Sequence, residues 1–204
     1  MARTIVLGMM VIAAVAAGAV TQSSAASGDS PWQLRVGVHD VRPKSGNGRV
    51  AGADLEVGGS VRPTFNVDYY VTPHLAVDLL ASLPFHHDIL LNGSKVGSAK
   101  QLPPTLSLQY HFFPAGPVDL FAGAGVNYTR FFSEKLGSGS DLALSSSWGA
   151  AVQGGIDYRL IDGWSVGADL RWMTLRTDVY SGGTKLGTAK IDPIAVGVTL
   201  ARRF

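Results

Sequence analysis

The chain has 204 residues, 46% of them apolar and only 16% charged, with 25 glycines and a formal charge of +2. The charged share is well below the roughly 25% of an average soluble domain, and no basic run offers a footing for nucleic acid. There is no cysteine, which excludes thiol catalysis, thiolate metal sites and a small disulfide-stapled secreted module.

The first stretch reads as a targeting segment. Arg3 supplies the positive start, Ile5 to Val20 form an apolar run broken only by small residues, and Ser24-Ala25-Ala26 is a small-x-small cleavage signal. Residues 1–26 are therefore expected to be a cleaved signal peptide, and 27–204 the mature protein.

Beyond it, period-two alternation recurs, marking candidate strands near 31–41, 60–72, 74–85, 102–113, 117–131, 147–160, 163–176 and 191–204. Each is long enough for the roughly 9–11 residues with which a tilted strand crosses a bilayer. Short turns at "VTPHL", "FFPAGPV" and "LIDGW" alternate with long segments at 42–59, 86–101, 132–146 and 177–190, which read as loops. This is the plan of an all-β, eight-stranded antiparallel transmembrane barrel with periplasmic turns and extracellular loops.

Aromatic residues test the plan independently. On the aliphatic face, Trp32, Tyr69, Phe112, Tyr158, Trp164 and Phe204 fall near the periplasmic ends. Phe85, Tyr128, Trp148 and Trp172 fall near the outer ends, with residues such as Val36, Val67, Leu108, Val152 and Val198 between. Two belts around an aliphatic band are what a bilayer selects, and Trp32, Trp148, Trp164, Trp172 and Phe204 are the expected interface anchors. A soluble barrel would turn its apolar face inward instead.

The opposite faces give the lumen. Arg35, Asp68, Asp78, Gln109, Asp157, Arg159, Asp169 and Arg171 are expected to form a charged floor, since lone charges in so narrow a barrel are very costly. Leu80, Phe121, Phe131, Met173 and Leu175 are expected to line the upper lumen. They are either filler or a small hydrophobic pocket opening outward. With the floor closed, a ligand would leave sideways near Pro84 and Pro103, which cannot donate to a ladder.

"LAVDLLASLPFHH", "LPPTLSLQYHFFP", "FAGAGVNYTRFF", "SSWGAAVQGGIDY" and the terminal "RRF" resemble the OmpW family of Gram-negative outer-membrane proteins. The resemblance covers most of 32–204. It implies an eight-stranded barrel with a hydrophobic interior, a role in uptake of small hydrophobic compounds, and no cofactor. It also implies a channel constriction at Leu80. Arg171 stands where some relatives carry an aromatic residue, which makes the constriction here more polar. The aromatic last residue resembles the C-terminal signal read by the outer-membrane assembly machinery, although Arg202 departs from the usual residue at its position.

Weaker signals remain. "GSKVGSAK" at 93–100 echoes "GTKLGTAK" at 183–190, as similar glycine-turned hairpins. In these, Lys95, Lys100, Lys185 and Lys190, with Arg42, Lys44 and Arg49, are candidates to meet lipopolysaccharide phosphates. His86-His87-Asp88 is a poor metal site, because adjacent residues of a strand face opposite ways. "GAGVNY" precedes no helix, so its glycines make room in a narrow barrel and bind no nucleotide. No GxSxG elbow is present. The expectation is a passive outer-membrane channel for small hydrophobic molecules. The alternatives are a structural, adhesive or receptor barrel with a filled lumen, and a lipid-modifying enzyme.

Overall fold

The computed structural model describes residues 30–136 and 142–204; the expected signal peptide lies outside the described residues. All regular structure among them is β-strand: β1 Trp32–Arg42, β2 Arg49–Val50, β3 Ala53–Val57, β4 Ser60–Thr72, β5 Leu75–Ser82, β6 Phe85–Leu91, β7 Ser94–Leu102, β8 Thr105–His111, β9 Val118–Leu136, β10 Leu142–Leu144, β11 Ser147–Arg159, β12 Trp164–Met173, β13 Arg176–Ser181, β14 Thr184–Lys190 and β15 Ile194–Arg203.

Eight of these, β1, β4, β5, β8, β9, β11, β12 and β15, form a closed antiparallel barrel, sealed where β15 pairs with β1. Closure is required in lipid, where an open edge strands backbone groups without water. The terminus completes it: Phe204 N donates to Trp32 O at 3.2 Å, and Phe204 O accepts from Ser30 N. Following partners from Arg42 through Ile194, Trp172, Val152, Ala124, Leu108, Val77 and Tyr69 returns to β1 at Trp32, ten residues from the start. That stagger sets the strands at a steep tilt, on the order of 40°.

Alternation is kept along each wall strand. Val36 and Val198 are 49% and 64% exposed, while Arg35 on the opposite face is 3% exposed. The apolar exterior is a lipid-facing surface. Inward glycines make room where the sequence anticipated it. A Cβ on Gly123 would lie 2.7 Å from Leu108 O, and one on Gly155 would strike the Phe121 ring.

In their described parts, the long segments read as loops are largely strands instead. Their hairpins pair edge to edge in the order β10, β13, β14, β2, β3, β6, β7 and the outer part of β9, building a second tier on the barrel. The reason is turn chemistry. Ala51-Gly52, Asn92-Gly93 and Gly182-Gly183 all take paired positive φ values, 49 and 81°, 48 and 76°, 55 and 81°. Such paired values are those of type I′ turns, whose twist matches a hairpin's. The two echoing segments are the return strands of matching hairpins. Each hairpin has a register shift, after Ile89 or Val179, and each pairs an aspartate with a lysine: Asp88–Lys95 at 2.8 Å and Asp178–Lys185 at 2.7 Å.

Between the tiers most strands break, and Pro43, Pro84, Pro103, Pro104 and Pro193 all fall in the breaks. Only β9 runs through without interruption. The break at Leu83–Pro84 also slips the parity of the chain. Phe85, expected in the outer aromatic belt, therefore turns inward and packs with Val41 and Ala195 at 3% exposure.

Candidate functional site

The lower lumen is filled by a polar plug. Arg35 Nε donates to Asp68 Oδ2 at 2.6 Å and its Nη1 to Asp157 Oδ1 at 2.7 Å. Arg171 Nε donates to Asp169 Oδ2 at 2.8 Å and its Nη1 to Asp78 Oδ2 at 3.2 Å. Asp68 and Asp78 face each other across β4 and β5, both fully buried. Opposed like charges of this kind need a cation on each. The six charges expected together, Arg35, Asp68, Asp78, Asp157, Asp169 and Arg171, are thus brought into one cluster. Arg159, expected with them, is not. It is exposed past the rim of the barrel and bonds the Pro114 carbonyl, because β11 ends there.

Several members of the plug escaped the sequence reading. His39 bridges Thr64 Oγ1 at 2.7 Å and Asp169 at 3.1 Å, and Asn66 donates to Asp78 at 2.5 Å. His111 bonds Asp119 at 2.7 Å beneath them. The same alternation that singled out Arg35 and Asp68 puts His39 and Asn66 on the lumen face, so the signal was present. Thr64, His39 and Asp169 form a hydroxyl–imidazole–carboxylate relay, but all three are buried and Asp169 is also held by Arg171.

The residues expected in the upper lumen divide. All five are buried and point inward. Phe121 sits low, however: it is the fourth residue of β9 as that strand leaves the periplasmic turn. The Arg35 guanidinium lies 5.3 Å from its ring, so it belongs to the plug. Leu80 and Met173 stand in the barrel proper, below the breaks. Phe131 and Leu175 alone join the upper apolar cluster, with Val50, Leu55, Val179, Ala189 and Ile191.

That cluster surrounds a cavity of about 120 Å³ inside the second tier, walled by aliphatic side chains with Phe131, and by only three polar residues, His87, Gln101 and Thr177. The upper tier and the breaks are pinned by side chains the sequence did not flag. Buried Asn47 donates to Lys44 O and Lys190 O at 3.1 and 3.0 Å and accepts from Val57 N at 2.8 Å. Asn127 donates to Pro103 O at 3.1 Å and to Thr105 Oγ1 at 2.9 Å. Asp192 accepts from Leu175 N at 2.9 Å and from Lys44 Nζ at 2.6 Å. Ile191 lines the inner cavity. Asp192, the next residue, lines a groove of about 690 Å³ on the outer wall, beside Trp172, Ile194, Val196, Arg42 and Lys44.

The expected anchors project outward. Trp148 is 73% exposed, and Trp172 lies beside the groove. At the opposite end Trp32 packs on Tyr69 at 4.8 Å, and the Arg202 guanidinium lies 5.4 Å from the rings of both Trp164 and Phe204. Arg202 thus places its charge at the interface between two aromatic rings. Among the described residues no cluster of histidine and carboxylate is arranged to hold a metal.

A closed eight-stranded barrel with an apolar exterior, a charged plug and a paired outer tier is compared most directly with known barrels. The OmpW family model matches residues 28–204. The chain belongs to the OmpW family. It is 38% identical over 190 residues to the uncharacterized outer-membrane protein y4mB of Sinorhizobium fredii, covering 88% of this chain and 82% of that protein. It is 30% identical to outer membrane protein W of Vibrio cholerae, covering 92% of each. The crystal structure of OprG from Pseudomonas aeruginosa superposes with a TM-score of 0.75 at 27% identity, covering 86% of this chain and 97% of that one. This OmpW-family chain is an outer-membrane barrel of bacteria, as the belts and closure require.

Proposed function

We propose that this barrel is a passive channel for small hydrophobic molecules. They enter the chamber of the second tier and leave sideways into the membrane above the plug. The observation that carries the reading is the pairing of an almost wholly apolar cavity with a charged, hydrogen-bonded floor lower in the same barrel, beneath the inward Leu80 and Met173. Apolar solutes gain from the first and are refused by the second. The exit is drawn at the break between β14 and β15, where Ile191 faces the cavity and Asp192 the outer groove. There Pro193 cannot donate to a ladder, and the wall is held by the Lys44–Asp192 pair together with the backbone bonds from Lys44 N to Ile191 O and from Ile191 N to Leu175 O. No energy coupling or cofactor is required, and no catalytic step is assigned.

Two further contacts belong to the same reading. Lys100 and Lys190, exposed on the outer tier, are the lysines left to meet lipopolysaccharide phosphates, since Lys95 and Lys185 already hold carboxylates. The C-terminal strand ending at Phe204 is the segment offered to the outer-membrane assembly machinery.

The test is uptake of an apolar fluorescent tracer by cells carrying the wild-type barrel or Ala189→Phe, whose added ring occupies the cavity. Folding of each is checked by heat-modifiable gel mobility. Wild-type uptake above the empty-vector control, lost in Ala189→Phe, supports the channel. Folded wild-type barrel that never exceeds the control gives the place to a structural or adhesive barrel with a filled lumen.

A further inference from the structure

The polar residues at the cavity wall are few enough to account for atom by atom. Thr177 Oγ1 donates to Ser145 O at 2.7 Å, so its proton is used, and the Ser145 hydroxyl lies 3.4 Å away to serve its acceptor side. His87 Nδ1 lies 2.6 Å from Gly58 O, a carbonyl that only accepts, so this nitrogen carries the imidazole proton. Burial of His87 pushes the imidazole below its ordinary range, in keeping with a neutral ring. Its Nε2 is then an acceptor, and it takes a hydrogen bond from Gln101 Nε2 at 3.0 Å. This chain of two bonds fixes which end of the Gln101 amide is which. The oxygen is left over: Gln101 is 2% exposed and its Oε1 has no hydrogen-bond partner. Every other residue lining the cavity is hydrophobic.

A buried amide oxygen without a partner is a standing cost, and one that a suitable guest removes. We propose that the chamber selects small apolar molecules that carry one hydrogen-bond donor, such as a phenol or an N–H heteroaromatic, through the Gln101 amide oxygen. This rests on the cavity being the ligand site of the channel. Size agrees: an apolar protein cavity of roughly 150 Å³ accepts benzene, and this one is about 120 Å³. The guest is therefore a single ring with few substituents. His87 is a positioning residue; it holds the Gln101 amide so that the oxygen, and not the nitrogen, remains available.

The experiment is ligand-observed ¹⁹F NMR on the folded mature barrel in detergent micelles, with 4-fluorophenol, 4-fluorotoluene and 4-fluoroanisole as probes. Ala189→Phe, with the cavity filled, supplies the background for partition into micelles. Above that background, 4-fluorophenol is expected to bind roughly tenfold more tightly than either probe lacking the donor, the worth of one buried hydrogen bond. His87→Leu/Gln101→Leu removes the imidazole and amide acceptors, leaving only the Thr177 hydroxyl, and is expected to bring the three probes level by weakening the phenol alone. If the double variant fails to fold, the wild-type series still decides, because the anisole differs from the phenol by masking its donor. Equal binding of all three to the wild type overturns the donor selectivity and leaves the channel reading standing. A phenol preference that survives in the folded double variant also overturns it. If no probe exceeds the Ala189→Phe background, the cavity is not a ligand site and both inferences fall.

Discussion

Replacing Arg35 by methionine keeps most of the side-chain volume and removes one charge from the middle of the plug. Arg35 is 3% exposed and serves two carboxylates, Asp68 at 2.6 Å and Asp157 at 2.7 Å. Its loss strands both, and Asp68 already stands across from Asp78. Removing one member of a buried pair costs about 3–5 kcal/mol, because the remaining charge has lost its counter-ion away from water; Asp68 keeps only the neutral Gln33 amide, which donates at 3.0 Å. The two pairs share one guanidinium, so the cost is not doubled. Urea unfolding of the barrel in lipid vesicles, read by gel mobility and tryptophan fluorescence, is expected to show destabilisation of this size. Arg35→Met/Asp68→Asn/Asp157→Asn is expected to recover most of it, since a buried ion cluster replaced as a unit is close to neutral. Lys185→Met, at the exposed pair with Asp178, is the control and is expected to leave the urea midpoint nearly unchanged, because water and salt screen such a pair. An Arg35→Met barrel as stable as the wild type, or a triple variant no better than the single, would refute the description of the plug as carboxylates held in place by two buried arginines.

Three other outcomes follow from the same geometry. Gly125→Ala is expected to abolish the folded form, because the new methyl would press on the Leu106 carbonyl and lie 2.6 Å from Ser107 Cα; Gly58→Ala, whose nearest neighbour is 3.7 Å away, is expected to fold normally by gel mobility. Arg202→Ala removes a guanidinium from two aromatic faces and is expected to cost about 0.5–1 kcal/mol in the same urea assay. The Lys185 hydrogen bond holds the Asp178 carboxyl below the usual aspartate range, so the pair contributes above the ordinary aspartate value and is lost only as pH falls through the lowered one. An NMR titration is expected to find that lowered midpoint in the wild type and a rise toward the ordinary value in Lys185→Met, incomplete because the Thr188 hydroxyl still donates to the carboxylate.

The barrel was legible in the sequence because a lipid-spanning strand writes its two environments in alternate residues. Val36 against Arg35, or Val67 against Asp68, states the wall and the lumen without any tertiary information. The aromatic belts and the terminal Phe204 fixed the ends of the strands by the same logic. What alternation does not encode is height and continuity. Phe121 has the right parity for the lumen but lies four residues from a periplasmic turn, so it packs on Arg35 and not in the chamber. Arg159 has the lumen parity too, but stands where the barrel has already ended. Phe85 was misplaced by one slip at Leu83–Pro84, which exchanges the faces of everything that follows. The second tier was hidden because its strands are short, polar and rich in glycine, so composition reads them as loops. Its signals were the echo of 93–100 in 183–190, read as two similar glycine-turned hairpins, and Asn92-Gly93, a favoured type I′ pair. Of the chamber only Phe131 and Leu175 were legible, since Leu55, Val179 and Ile191 reach them only when hairpins from separate segments close on one another.

The most direct test of a sideways route above a closed floor is the rate at which an apolar tracer added outside reaches a quencher dye confined to the bilayer of proteoliposomes. Transfer should be faster with the wild-type barrel than with Ala189→Phe or protein-free vesicles, while release of a polar dye trapped inside stays at the protein-free rate. Equal tracer rates in all three preparations, or escape of the polar dye through the wild-type barrel, would contradict the account.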